Sequence, residues 1–217
     1  MNIITQFLLY FIVFIPCGSS LSCKDFKDIP CPFFIHGKSN NCGDPSWELL
    51  CENDRTIVTV FSKRFYVLDI DSKANRIQLI DPGLEKDNCS SMPQHSLPAS
   101  PSYFGGYSDS ISTWSRPVVY MNCSKNLSNY TRYLSTLPCV NNTSLNMLTY
   151  AIVDPVVSEF GNSCTNFLTS WIFGDDALHN PENSTFGSYS ELHKQMMKGF
   201  WISYAYDTQP CKLLFEE

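Results

Sequence analysis

The chain has 217 residues, 43% hydrophobic and 17% charged, with ten cysteines and a formal net charge of −6. Lys and Arg are scattered and form no basic block or stripe, which argues against a nucleic-acid partner. Beyond the N-terminal stretch no apolar run approaches the roughly 20 residues needed to cross a bilayer, so no membrane span is expected.

In chain order, the apolar run over residues 3–15 is broken by Pro16, and Gly18 and Ser20 supply small residues for a cleavage site. That pattern predicts a secretory signal peptide over residues 1–20, although its n-region carries no Lys or Arg. The competing reading is a buried N-terminal strand or helix. Residues 21–88 form an N-terminal β-rich region. Strands are expected at 47–51, at the β-branched run 56–61, and at 64–70 and 76–81, the last two joined as a hairpin by the polar turn 71–75. Residues 89–117 are rich in Ser, Pro and Gly and read as an irregular connection and subdomain boundary. Residues 118–217 form a second β-rich, glycosylated region with strands at 118–121, 148–153 and 200–204. A helix is predicted over 189–198, with Ser188 as N-cap, Leu192, Gln195 and Met196 at helical spacing and Gly199 as the stop. The expected fold class is mainly β: a cysteine-stapled, β-rich ectodomain with one short C-terminal helix.

The cysteines are Cys17, Cys23, Cys31, Cys42, Cys51, Cys89, Cys123, Cys139, Cys164 and Cys211, spread singly without the close pairs of a zinc site. In an oxidising compartment such residues become disulfides, and Cys23, Cys31, Cys42, Cys51, Cys89, Cys123, Cys139 and Cys164 are the candidates. Cleavage after Ser20 would remove Cys17 and leave an odd number. Either Cys17 is retained, or Cys31 or Cys211 is free or pairs with another chain. Sequons for N-glycosylation begin at Asn126, Asn129, Asn141, Asn142 and Asn183. Asn88 and Asn122 also begin sequons, but a cysteine occupies the middle position of each, and disulfide formation competes with modification.

Several elements occur in a fixed order: Pro32-Phe33-Phe34-Ile35-His36-Gly37, Asn41-Cys42-Gly43-Asp44-Pro45, Leu49-Leu50-Cys51-Glu52, Tyr66-Val67 followed by Ile70, Arg76-Ile77 followed by Leu79 and Asp81-Pro82, and Asn88-Cys89-Ser90. Together they resemble the galacturonan-binding extracellular domain of plant wall-associated receptor kinases. Tyr120-Met121-Asn122-Cys123, Pro138-Cys139, Ser163-Cys164 and Lys198-Gly199-Phe200-Trp201-Ile202-Ser203 look like the leaf-rust disease-resistance-locus receptor-like kinase branch. The departures are Cys31 where family members usually have Tyr, and Lys24 after Cys23 where they usually have Gly. Cys17 stands at a spacing from Cys23 that the family often shows. Receptor members continue into further cysteines, a membrane span and a kinase, which makes Cys211 the favoured odd thiol.

The resemblance implies a non-catalytic domain, secreted or on the plasma-membrane exterior, that binds pectic polysaccharide of the cell wall. A polyanion of that kind needs cations, or bridging Ca²⁺, and sugar rings need aromatic faces. Carbohydrate-contact candidates are Arg55, Lys63, Arg64, Tyr66, Lys73 and Arg76, grouped around the hairpin. Strand alternation puts Arg64, Tyr66 and Leu68 on one face and Phe65, Val67 and Asp69 on the other. The alternative is that Tyr66 packs in the core and the bases are ordinary surface charge. Phe33, Phe34 and Trp47 are a second possible sugar platform, against a reading as core beside a disulfide. Asp69 with Asp71, or Asp175 with Asp176, offer few of the oxygens Ca²⁺ requires. No metal, cofactor or catalytic residue is expected: His36, His95, His179 and His193 lie in unrelated contexts, and no nucleophile-elbow or zinc-protease motif occurs. Other functions consistent with the sequence are a decoy or co-receptor that pairs with another ectodomain, and a truncated receptor-kinase product.

Overall fold

A computed structural model describes residues 23, 26, 28–38, 44–98, 115–127, 132–141, 147–156, 163–174 and 186–204. The expected signal peptide, Cys17, Cys42, Cys211, Asn129, Asn142, Asn183, Asp175, Asp176 and His179 lie outside these residues.

The fold is mainly β, with two sheets and one short α-helix among the described residues. The first sheet comprises β1 (Phe34–Ile35), β2 (Glu48–Glu52), β3 (Arg55–Val60), β4 (Lys63–Asp71), β5 (Arg76–Ile80) and β10 (Phe200–Ser203), in the order β1-β2-β3-β4-β5-β10. Only the short β1–β2 pairing is parallel. Alternation sets the inner face: Val58 and Val60, Phe65 and Val67, Ile77 and Leu79, and Phe200 and Ile202 form one buried cluster. Removing such side chains from water is the main favourable term holding the sheet together. Phe33, Trp47 and Tyr204 join this cluster, their rings meeting edge-on or tilted at 4.9–5.6 Å. Phe33 and Trp47 are therefore core, and no sugar platform forms there; Phe34 is half-buried against the same cluster.

The alternation expected for β4 holds through Val67 and then fails. A register shift between Val67 and Asp69 in the pairing with β5 turns Asp69 outward with Leu68. A β-bulge adds one residue to a strand and so inverts the facing of those after it. Tight turns join β2 to β3 and β3 to β4. Asn53 and Asp54 have φ of 48° and 64°, and Phe61 and Ser62 have 55° and 58°. Positive φ at both central residues is the geometry that matches a two-residue hairpin to strand twist.

The second sheet has the order β7-β8-β6-β9, from β6 (Ser115–Cys123), β7 (Leu134–Ser135), β8 (Leu148–Val153) and β9 (Cys164–Phe173). β6 starts at Ser115, within the stretch read as irregular. The ten-residue β9 was not expected at all. Helix α1 (Tyr189–Met196) packs Tyr189, Leu192 and Met196 onto Val118, Tyr120 and Ile172. Ser188 is its N-cap, its hydroxyl accepting from the Glu191 amide at 3.3 Å. The helix stops two residues before the predicted end. At Gly199 the chain turns with φ +71°, and a Cβ there would lie 2.3 Å from the Leu79 carbonyl oxygen. The chain then returns as β10 to the first sheet beside β5.

Among the described residues three disulfides pin the framework: Cys23–Cys51, Cys89–Cys139 and Cys123–Cys164. The last joins residues directly opposite each other on β6 and β9. Cys31 is also disulfide-bonded, its partner lying outside the described residues. Each bridge contributes typically about 2–4 kcal/mol. The sheets are joined further through Trp171 of β9, which packs into the first cluster and donates from its indole N–H to the Pro98 carbonyl at 3.0 Å.

Candidate functional site

Against the first sheet lies a groove of about 440 Å³ whose lining includes Glu52, Arg55, Lys63, Arg64 and Tyr66. That volume is within the range of small-molecule sites. The two tight turns create it by folding β2, β3 and β4 into a compact meander, so that charged residues far apart along an extended chain converge. Ile57 and Tyr66, direct cross-strand partners, form part of its lining beside Pro82. Tyr66 is half-buried rather than core, and it shares the outward face with Arg64.

The three groove cations have different partners. Arg55 is exposed; its guanidinium carbon sits 5.4 Å from the centre of the Tyr66 ring, and no carboxylate pairs with it among the described residues. Arg64 is paired with Glu52, both side chains about half exposed (51% and 46%). That contact runs from β4 to β2 across the intervening β3. The Lys63 ammonium donates to the Ser96 carbonyl, which satisfies a donor without neutralising its charge. With one carboxylate against three cations, these groups leave the groove positive on a chain that is acidic overall.

The far wall depends on a buried carboxylate. Asp81 is 2% exposed, and its oxygens accept from the Gly83, Gln94 and His95 amides at 2.8, 2.7 and 3.0 Å. A Cβ on Gly83 would meet the Met92 carbonyl oxygen at 2.4 Å, so the loop closes only over glycine. The folded loop brings Gln94 and His95 to the groove, with the His95 ring edge-on to Phe65 at 5.4 Å.

Four of the six carbohydrate-contact candidates, Arg55, Lys63, Arg64 and Tyr66, thus gather at one place. Lys73 and Arg76 do not. Lys73 is exposed in the β4–β5 turn, where its amide donates to Asp71 at 3.2 Å. Arg76 holds the Asp71 carboxylate at 3.0 Å and lies over the Trp201 ring at 4.4 Å. Asp71 is occupied as a turn cap: hydrogen bonding from the Ala74 amide, with help from Arg76, holds its carboxyl below the usual carboxylate range. Asp69 accepts from the Ile70 amide at 2.8 Å. No cluster of metal-ligating side chains occurs among the described residues.

A buried contact not foreseen in the sequence joins Ser91 to His193, Oγ to Nε2, at 2.8 Å. The Ser91 hydroxyl also donates to the Asn88 carbonyl at 2.7 Å and accepts from the Glu85 amide at 2.9 Å. Burial lowers the His193 pKa and favours the neutral ring. The pair latches the loop onto α1 and presents no nucleophile to solvent. Glu52, Gln94 and His95 were likewise missed as groove residues. The only signal for Glu52 was its place opposite Arg55 across a two-residue turn.

Residues 17–81 match the family model described as wall-associated receptor kinase, galacturonan-binding. The matched segment begins at Cys17, inside the stretch read as signal peptide, and ends after β5, so it contains Glu52, Arg55, Lys63, Arg64 and Tyr66. No curated protein matches the chain, and no solved structure does. No helix among the described residues is long and apolar enough to cross a membrane.

Proposed function

We propose that the groove beside β2, β3 and β4 binds uronate residues of pectic polysaccharide, and that the chain acts outside the cell as a non-catalytic cell-wall-binding ectodomain of receptor-kinase type. The observation that carries this reading is the convergence of Arg55, Lys63, Arg64 and Tyr66 in one positive groove within the segment matching the galacturonan-binding family. Guanidinium groups recognise carboxylates through paired N–H donors, and the Arg55 guanidinium lies over the Tyr66 ring within the groove lining.

Three disulfides and a further bonded cysteine support maturation in an oxidising compartment. Exposure of Asn126 and Asn141 is consistent with glycosylation there, and neither is among the residues lining the groove. Secretion would follow cleavage of the apolar N-terminal segment, with the start of the family match favouring retention of Cys17 in the mature chain.

The test is retention of the glycosylated protein on de-esterified pectin, with and without Ca²⁺, across a salt series. Binding that weakens as salt rises is expected, because charge contacts near a surface are screened. Absence of retention at low salt would overturn the assignment.

A further inference from the structure

The loop that closes the far wall of the groove brings a titratable ring to it. His95 lines the groove together with Lys63 and Arg64, yet it lies outside residues 17–81, the segment that matches the family. Its place is fixed from both sides. The Gln94 and His95 amides donate to the buried Asp81 carboxylate. Just beyond, the Ser96 hydroxyl accepts from the Thr169 amide of β9 at 3.1 Å, and the Leu97 amide donates to the Thr169 carbonyl at 2.8 Å. The half-buried ring lies edge-on to Phe65, which is itself 1% exposed. Resting on the uronate-binding reading above, we infer that His95 is a further ligand-contact residue of the groove. Its protonated ring pairs with a uronate carboxylate, so the domain grips its ligand more tightly as the surroundings acidify.

Placement carries the argument. The Lys63 ammonium donates to the carbonyl of Ser96, the residue after His95, so ammonium and imidazole share one wall. A carboxylate drawn to Lys63 therefore arrives beside the ring. Imidazole is the side chain that ordinarily changes charge between about pH 5 and 8. A carboxylate beside it favours the charged form, and by reciprocity the charged form favours the carboxylate. The charged groups around the ring are Lys63 and Arg64 of β4, Arg55 of β3 and Glu52 of β2, with Asp81 behind its own loop. In the free protein the three cations outnumber the two carboxylates and oppose a further positive charge. A bound uronate offsets that opposition, so the ring takes up a proton as the ligand enters. The uronate itself stays ionised over the same range, because carboxylic acids titrate near about pH 4. A neutral, methyl-esterified sugar brings no carboxylate and gains nothing from the proton.

The experiment measures trigalacturonate binding to the wild type, to His95→Gln and to His36→Gln by titration calorimetry at low salt, at about pH 5.5 and about pH 7.5. Buffers of different protonation heat read the proton taken up. His36→Gln removes another histidine, one paired with Glu48 outside the groove lining. Melting temperatures at both pH values establish that each variant is folded. The wild type should bind about two- to fivefold more tightly at the lower pH, the range of an exposed ion pair, and take up a fraction of a proton per ligand. His95→Gln should lose most of that ratio and of the proton uptake, while His36→Gln keeps both. In the wild type itself, the NMR titration of the His95 ring protons should move to higher pH when trigalacturonate is added, a readout that needs no substitution. Retention of the full ratio and uptake by His95→Gln, or a His95 titration that trigalacturonate leaves in place, would overturn the inference. So would equal wild-type affinity at the two pH values, and in each of these cases the uronate reading survives. Failure of the wild type to bind trigalacturonate at either pH overturns both.

Discussion

Arg55 and Arg76 are both hairpin-region arginines stacked on an aromatic ring, yet the structure gives them separate jobs, and replacing each by alanine distinguishes them. The Arg76 guanidinium lies 4.4 Å from the Trp201 ring centre and 3.0 Å from Asp71, with both side chains of the pair close to three-quarters buried. The cation–π contact is worth about 0.5–1 kcal/mol and the ion pair up to about 1 kcal/mol. Arg76→Ala should therefore cost about 0.5–2 kcal/mol, a fall in Tm of about 1–8 °C for a chain of this size. Its affinity for oligogalacturonate should stay within about a factor of two of wild type, since Arg76 is outside the groove lining. Arg55 is exposed, and its ring contact is longer at 5.4 Å, so Arg55→Ala should cost less than about 0.5 kcal/mol of stability. Removing the one groove arginine with no carboxylate partner should weaken binding about five- to tenfold, or about 1–1.4 kcal/mol. Differential scanning calorimetry and titration calorimetry on the same preparations read both quantities. The reasoning is refuted if Arg76→Ala loses more affinity than Arg55→Ala while both remain folded.

Gly199→Ala forces a side chain into a left-handed turn and against the Leu79 carbonyl, so it should destabilise by more than about 1 kcal/mol, visible as a lower denaturant midpoint. Burial lowers the His193 pKa from 6.5, so the unfolded chain takes up a proton at higher pH than the folded one. Stability is then full above about pH 6.5 and is lost as pH falls from there through the folded value. Melting curves of His193→Gln should show a flatter acid limb than wild type, and an unchanged slope would assign that limb to other groups. Glycopeptide mass spectrometry should find glycan on Asn126 and Asn141 but none on Asn88 or Asn122. The latter two are half-buried, hold Glu85 at 2.7 Å and Thr149 at 2.9 Å respectively, and each adjoins a bridged cysteine.

The strands around the hairpin were legible because each has one wet and one dry face, and period-two alternation survives in the residues themselves. β9 escaped notice for the opposite reason. Its first half is exposed at Thr165, Asn166 and Phe167, and its second half is buried at Ser170, Trp171 and Ile172, so it shows no single period. The bulge after Val67 was invisible, since one extra residue leaves no compositional mark. Among the site residues, local sequence could group six candidates around the turns but could not sort them. Sorting required Trp201, which reaches Arg76 only because the last strand closes beside β5, and Ser96, which reaches Lys63 only because Asp81 folds the intervening loop.

Pairing of Phe200–Ser203 with β5 has a consequence for how the recognition segment can be handled. The sheet that presents the groove borrows its last rung from a part of the chain more than a hundred residues downstream. Expressed alone, residues 17–81 would leave Ile77 and Leu79 on a bare edge with unspent backbone donors, inviting another copy to supply the missing strand. Restoring the 186–204 segment in trans should suppress that self-association, making the tail a detachable chaperone for the head.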